Sequence, residues 1–298
     1  MTPSKENDWT IASDGLRARK NGAWGREKLS FLDEFVPPAL AATTKKRERF
    51  YVDLFAGPGR NVVPDTLEEF DGSAIRALWH TAPGRSTLHF DGAYLVNKDP
   101  LDQEALRLRI ERLRAERPCP VLEKNIQFLT HDANRLVGRI MREIHPKAYA
   151  LVFADITKPS HWPWSSVRQL KSAGHESVDL YLLFPWGMAL KRMLSFNEGS
   201  VEQSGPVLDR FFGTEEWRTL LAKRVTSSQS PDFARSVIDY YMDRLRALGW
   251  KHVIVARDIR RDDNVGLYKM LYASNHPAGG NIADWSASRA RDDQGRLF

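Results

Sequence analysis

The residues best placed to do chemistry are Asp53, Phe55, Gly57 and Gly59, carried on Arg49-Phe-Tyr-Val-Asp-Leu-Phe-Ala-Gly-Pro-Gly-Arg60. A short apolar run that ends in an acid and passes at once into a glycine turn reads as a central strand of a parallel sheet emptying into a loop. In doubly wound sheets ligands sit at the carboxyl ends of the strands, where glycines admit close backbone approach and a carboxylate can hold the ligand. The turn therefore reads as a cofactor cradle, and the alternative is a tight strand-to-loop turn with no ligand. Arg60-Asn61-Val62 follow without a third glycine, which argues against the dinucleotide fingerprint and a nicotinamide enzyme.

Further acids stand where other strands should end. Ala93 to Asn97 read as a strand with Asp99 beyond it, placed to accept from ribose hydroxyls because a carboxylate takes two donors at once. Asp91 and Asp102 are weaker rivals. Ile126 to Leu129 lead to Asp132, an acceptor for an adenine amine, with Asn134 as an alternative helix cap. Tyr149 to Ala154 deliver Asp155, followed by the stiff aromatic loop Ile156-Thr-Lys-Pro-Ser-His-Trp-Pro-Trp164. This is the expected catalytic edge: Asp155, Lys158 and His161 are the catalytic candidates, with Trp162, Trp186, Lys191 and Arg192 on the acceptor side. A loop histidine is more often solvated than catalytic, and His276 is a weaker candidate of the same kind.

The elements that must position these residues form a βα alternation. A helix is expected from Trp24, with Leu29, Leu32, Phe35 and Val36 at helical spacing until Pro37-Pro38 interrupt it. The acidic stretch 62–71 is long for a loop in a compact domain and is expected to fold over cofactor or substrate. Leu106, Ile110 and Leu113 mark a helix whose other face, with Arg107, Arg109, Arg112, Arg114 and Arg117 among glutamates, reads as a salt-bridged solvent surface. Val178 to Phe184 form a fifth strand, two helical stretches fill an insertion over about 195–249, and His252 to Asp258 with Gly266 to Ser274 form a hairpin. Residues 1–21 are expected to be loosely ordered, 22–286 to form the domain, and 287–298 to be a polar tail.

The 298 residues, 42% hydrophobic and 28% charged, suffice for one large α/β domain or for a domain with an appended subdomain. A net charge of +6 and a pI near 9.4 favour a partner with phosphates or an acidic surface, and nucleic acid ranks above a neutral metabolite. Cys119 is the single cysteine, which excludes an intrachain disulfide framework and suits a reducing cytoplasm. No stretch approaches the ~20 apolar residues of a membrane span, so a cytoplasmic protein is expected.

The turn Asp53-Leu-Phe-Ala-Gly-Pro-Gly59 resembles the first motif of S-adenosylmethionine-dependent methyltransferases. With it, an ordered set resembles the three-Cys-motif partner protein (TcmP) family: Tyr51 to Gly59, Gly72-Ser73, Leu151-Val-Phe-Ala-Asp155 with Pro163-Trp164, Val178 to Pro185 with Arg192, Phe211-Phe-Gly213 with Trp217, and Tyr268 to Pro277. The resemblance spans about residues 24–286. It implies a Rossmann-like class I methyltransferase fold: a mostly parallel seven-stranded sheet with a terminal antiparallel hairpin and a small helical insertion. It further implies S-adenosylmethionine as cofactor, its methionine end held by Asp53, Gly57 and Gly59 with Phe55 as a further cofactor-binding residue, and a partner protein that carries the three cysteines.

Asp155 is followed by Ile156-Thr157-Lys158 where the family often has an Asp-Pro-aromatic-Gly turn. The sequence also lacks the Asn/Asp-Pro-Pro-aromatic motif that holds a flipped base, which counts against base N-methylation. Of the Lys-Asp-Lys-Glu set of a ribose 2′-oxygen methyltransferase, Asp155 and Lys191 would supply two members, and no glutamate follows Glu216. Two functions follow: a methyltransferase, or a binding subunit that keeps the fold and serves the three-Cys partner. For the enzyme, Asp53→Ala is expected to abolish cofactor binding with the melting curve nearly unchanged.

Overall fold

A computed structural model of the chain describes residues 8–80, 84, 87–194, 198–224, 231–261, 263, 265–283 and 285. The tail 287–298, residues 1–7 and the connection 226–230 lie outside the described residues. The chain divides into two compact units, one holding the strands up to Phe153, the other taking the chain from Ala154 together with residues 137–146.

In the first unit two strands lie within residues 9–20, where the sequence expectation is a loosely ordered segment. Strands β1 (Trp9–Ile11) and β2 (Arg17–Lys20) pair antiparallel, Trp9 opposite Arg19. The Asp14 carboxylate accepts the Leu16 N–H at 3.0 Å and Gly15 takes φ +77°, an Asx-type turn. Strands of three and four residues bearing several charges carry too little periodicity to be seen in the sequence.

Helix α1 (Trp24–Ala42) runs through Pro37 and Pro38 rather than ending there. Each proline withholds one helical hydrogen bond. Phe35, Val36, Ala39 and Leu40 around them are buried, and that burial offsets the local cost. After β3 (Arg49–Asp53), strands β4 (Arg60–Val62) and β5 (Glu69–Asp71) turn the supposed loop into a hairpin. With β1 and β2 it makes a four-stranded sheet ordered β1-β2-β4-β5.

Helix α2 (Ser73–Leu78), strand β6 (Gly92–Asn97), helix α3 (Pro100–Glu116), strand β7 (Ile126–Thr130), helix α4 (Ala133–Glu143) and strand β8 (Tyr149–Ala154) continue the alternation. Both β6 and β8 pair parallel with β3, Asp53 standing opposite Leu95 and Phe153, and β7 pairs parallel with β6. All residues of β6 and β8 are buried, as near-continuous apolar strands covered on both faces should be.

The second unit contains α5 (Trp164–Gln169), β9 (Ser177–Phe184), α6 (Lys191–Met193), α7 (Glu198–Phe212), α8 (Arg218–Arg224), α9 (Pro231–Ala247), β10 (His252–Arg260) and β11 (Gly266–Ser274). Its core is aromatic: Tyr241 of α9 stacks on Phe211 with centroids 5.0 Å apart, meets the Trp164 ring edge-on at 5.3 Å and lies 5.1 Å from Phe184. β11 pairs antiparallel with both β9 and β10. A wide helical turn over Trp186–Leu190 brings Gly187 against β11 so closely that a Cβ there would stand 1.8 Å from the Gly266 carbonyl oxygen.

Lys171 in this unit lies 4.8 Å from the Trp250 ring centroid. Burial drives its pKa down to about 8, and the Asp179 charge opposes the shift only in part. The unfolded chain, with an ordinary lysine near 10.4, therefore binds more protons between pH 8 and pH 10, and this residue's contribution to stability rises with pH across that window. Lys171→Met is expected to stabilise the protein by roughly 1 kcal/mol at pH 7, after discounting for residual solvent. Thermal melts at pH 7 and pH 9.5 should show the gain shrinking at the higher pH.

The seven-stranded sheet runs β10-β11-β9-β8-β3-β6-β7. Numbered along the chain within that sheet, this is 6-7-5-4-1-2-3, the doubly wound order with an antiparallel last strand inserted beside the fifth. It is the class I methyltransferase arrangement, and its terminal antiparallel hairpin matches the sequence expectation.

Candidate functional site

The carboxyl ends of β3, β6 and β7 are tied together by backbone. Ala56 N–H donates to the Val96 carbonyl at 3.0 Å and His131 N–H to the Asn97 carbonyl at 2.9 Å. Asn97 joins them by side chain, its Nδ2 donating to the Gly57 carbonyl at 2.9 Å and to Gln103 Oε1 at 2.6 Å, while Gln103 Nε2 donates to the Leu95 carbonyl. One edge of the first unit thus brings together the glycine turn, Asp99 and Asp132.

Within the turn Gly57 has φ +62° and Gly59 φ +83°, backbone that favours glycine. The two differ in surroundings. A Cβ on Gly59 would meet Leu106 Cδ1 at 2.8 Å, so Gly59 is a packing glycine under α3. Gly57 is half-exposed, and a Cβ there would meet only Arg19 Cγ at 4.0 Å. Gly57 is the position where backbone is open to a ligand. Phe55 beside it is half-buried, and its N–H donates to Asp53 Oδ1 at 3.2 Å.

Asp53 is fully buried. Its Oδ2 accepts from Tyr51 Oη at 2.9 Å and Ser73 Oγ at 2.6 Å. The carboxylate therefore braces the strand end against α2, and it shapes the turn from beneath. Ser73, the first residue of α2, is the donor in the second of these bonds.

Of the three candidates for the ribose acid, Asp91 is at the wrong end: it takes the Arg49 N–H at 2.8 Å where β6 begins. Asp102 is sealed, 1% exposed, against Arg17 and Arg19. Burial and then the neighbouring Asp99 charge raise its pKa although both guanidiniums pull the other way. Asp99 caps α3 through Leu101 N–H at 2.9 Å, meets Arg17 Nη1 at 2.8 Å and keeps its carboxylate 37% exposed. Asp132, half-buried, caps α4 through Asn134 N–H at 2.9 Å.

Arg109, expected on the solvent face, is 2% exposed. It grips Asp14 with Nε at 2.7 Å and Nη2 at 2.8 Å, and its Nη1 reaches the carbonyls of Arg17 at 2.7 Å and Pro58 at 2.6 Å. Burial alone would push Asp14 up, but hydrogen bonds from Arg109 and Leu16 N–H and the Arg109 and Arg60 charges hold its carboxyl below the usual range. The signal was present in the spacing, because 102, 106, 109, 110 and 113 share one helical face. Arg107, by contrast, pairs with Glu104 and Glu111 on the surface, as expected.

In the second unit Asp155 is half-buried just past β8, and Lys158 and His161 are exposed in the loop that follows. His161 Nδ1 lies 3.4 Å from Thr157 Oγ1. Trp162 is fully buried and Trp164 nearly so, which makes both core anchors of this loop and leaves neither ring open to an acceptor. Trp186 is half-buried, its ring 6.3 Å from Phe233, and Lys191 and Arg192 are exposed. His276 Nδ1 accepts the Ala278 N–H at 3.1 Å, a local turn contact. Tyr268, which no motif of the sequence marks as a site residue, is buried, and burial, then the Asp155 carboxylate, raises its hydroxyl pKa.

Among the described residues no cluster of three or more metal-ligating side chains occurs, and no helix is long and apolar enough to cross a membrane.

No protein-family model and no curated protein matches the sequence. Solved structures that it resembles include protein LPL1258 from Legionella pneumophila, at 12% identity and a TM-score of 0.43, over 83% of this chain and 86% of that one. Trm5b from Pyrococcus abyssi follows at 14% identity and a TM-score of 0.41, over 92% of this chain and 58% of that one. Spermidine synthase from Thermotoga maritima has 10% identity and a TM-score of 0.41, over 90% of this chain and 65% of that one. Likenesses this distant carry no functional argument, and the fold assignment stands on the strand order itself.

Proposed function

We propose that this chain is an S-adenosylmethionine-dependent methyltransferase whose acceptor is a nucleic acid or nucleotide. The observation that carries the reading is a glycine turn with an open residue, Gly57, directly after the first strand of a sheet ordered 6-7-5-4-1-2-3. Ligands of doubly wound sheets bind at such an edge. The residues fit the cofactor: Gly57 offers open backbone for the methionine end, Asp99 an exposed carboxylate for the ribose hydroxyls, and Asp132 an acceptor for the adenine amine. The cofactor supplies a methyl group activated on a sulfonium. The chain's part is to orient the acceptor, with Asp155 holding it or taking its proton and Trp186, Lys191 and Arg192 meeting base and phosphate. The ordered motifs that resemble the TcmP family support a three-Cys-motif protein as partner.

A binding subunit without transfer is the second reading. It is favoured by the internal engagement of the acids, since Asp53 is sealed and Asp99 carries Arg17. Titration calorimetry with S-adenosylmethionine and S-adenosylhomocysteine separates the two. Micromolar binding is expected, weakened roughly tenfold in Asp99→Asn, which keeps a capping side chain but loses the charge. Transfer of labelled methyl to total RNA or DNA then identifies the acceptor class. A folded protein that binds neither compound overturns the enzyme reading and leaves the subunit, to be tested by capture of the three-Cys partner.

A further inference from the structure

Four arginines surround the glycine turn, and three are engaged within the fold. Arg109 is consumed by Asp14 and by carbonyls of the hairpin and the turn. Arg60 meets Glu69 at 3.1 Å and Asp71 at 3.2 Å. Arg17 meets Asp99 at 2.8 Å and Asp102 at 3.1 Å, under the ring of Trp9.

Arg19 differs. Its stem lies beside Gly57, with Cγ 4.0 Å from where a Cβ would stand, and its Nη2 holds Asp102 Oδ2 at 2.7 Å. Asp102 is 1% exposed, whereas the Arg19 side chain is 42% exposed. The guanidinium is thus anchored by one nitrogen on a buried carboxylate, at the open residue of the turn. Among the described residues, its other nitrogens take no partner.

The rest of this edge offers a ligand acids: Asp99, Asp132 and, beneath, Asp53. An amino-acid moiety laid against Gly57 brings an α-carboxylate that these would repel. A guanidinium fork is the group that fits it, and an anchored one loses less side-chain entropy on binding. We infer that Arg19 binds the α-carboxylate of the methionyl end of the cofactor, with Asp102 as its positioning residue. The inference rests on the cofactor reading above and deepens it.

The test compares S-adenosylhomocysteine with 5′-methylthioadenosine, which keeps the thioether nucleoside and lacks the amino-acid carboxylate. Both are titrated into the full-length protein, into Arg19→Ala and into Arg19→Lys, which preserves a charge beside Asp102. Arg19→Ala is expected to weaken S-adenosylhomocysteine by roughly 10- to 100-fold, the worth of a charge-assisted contact, with Arg19→Lys intermediate. Binding of 5′-methylthioadenosine should stay within about twofold in all three, which also shows that the variants are folded. Equal losses for both compounds, or unchanged binding of S-adenosylhomocysteine in both variants, would overturn the subsite while leaving the cofactor reading intact. A wild-type protein that binds neither compound removes the cofactor reading and the subsite with it.

Discussion

Arg109→Met should cost roughly 3–5 kcal/mol of folding free energy, because it strands a partly buried carboxylate and three backbone carbonyls that the guanidinium now satisfies. For a protein of this size that corresponds to a fall in melting temperature of about 10 °C. The loss should depend on pH in a definite sense. Asp14 has its folded pKa lowered, so its contribution is present above the ordinary carboxylate range and is lost as pH falls through the lowered value. Removing Arg109 removes most of that contribution, and the melting temperatures of wild type and variant should converge toward low pH. Parallel melting curves at pH 7 and pH 3 would show that Arg109 acts through packing alone. Because Arg109 also holds the Pro58 carbonyl, the cofactor binding proposed above should weaken in the variant even under conditions where it remains folded.

Asp53→Ala is the second large effect, and here the structure reverses the sequence expectation. The substitution leaves the Tyr51 and Ser73 hydroxyls and the Phe55 N–H without the carboxylate they share, inside the fold, at a cost of roughly 2–4 kcal/mol. Urea unfolding should show a lower midpoint with an unchanged slope. Asp53→Asn, which retains one acceptor oxygen, should lose about half as much. A midpoint equal to wild type in Asp53→Ala would mean that the acid faces a ligand and not the fold. Loss of cofactor binding in Asp53→Ala cannot by itself mark a contact, and Asp99→Asn and Arg19→Ala are the informative variants.

Much of the frame was legible in the chain, because burial on both faces of a parallel sheet demands long apolar runs. Residues 149–154 and 178–184 announce β8 and β9 in this way, and the Gly57 and Gly59 turn announces itself because few other residues tolerate its backbone. The antiparallel pair β10 and β11 was legible from two strands flanking a polar turn. The end of α1 is not legible in the same way. Pro37 and Pro38 mark a helix end by local rule, and the burial of Phe35, Val36, Ala39 and Leu40 overrides it.

The sequence by itself thus determined the chain order of the seven strands of the large sheet and the place of the glycine turn, since periodicity and backbone tolerance act over a few residues. Only the tertiary structure decided which charged side chains serve the fold and which remain for a ligand. Asp53 at the end of β3, Asp99 at the cap of α3 and Asp102 in its first turn are the same residue type. Their roles diverge because Tyr51 and Ser73 seal the first, Arg17 shares the second, and Arg17 and Arg19 neutralise the third. Those partners come from a hairpin more than eighty residues earlier in the case of Asp102. A carboxylate's role depends on the distance to its donors and on the water left around it, and both are set when distant segments pack together.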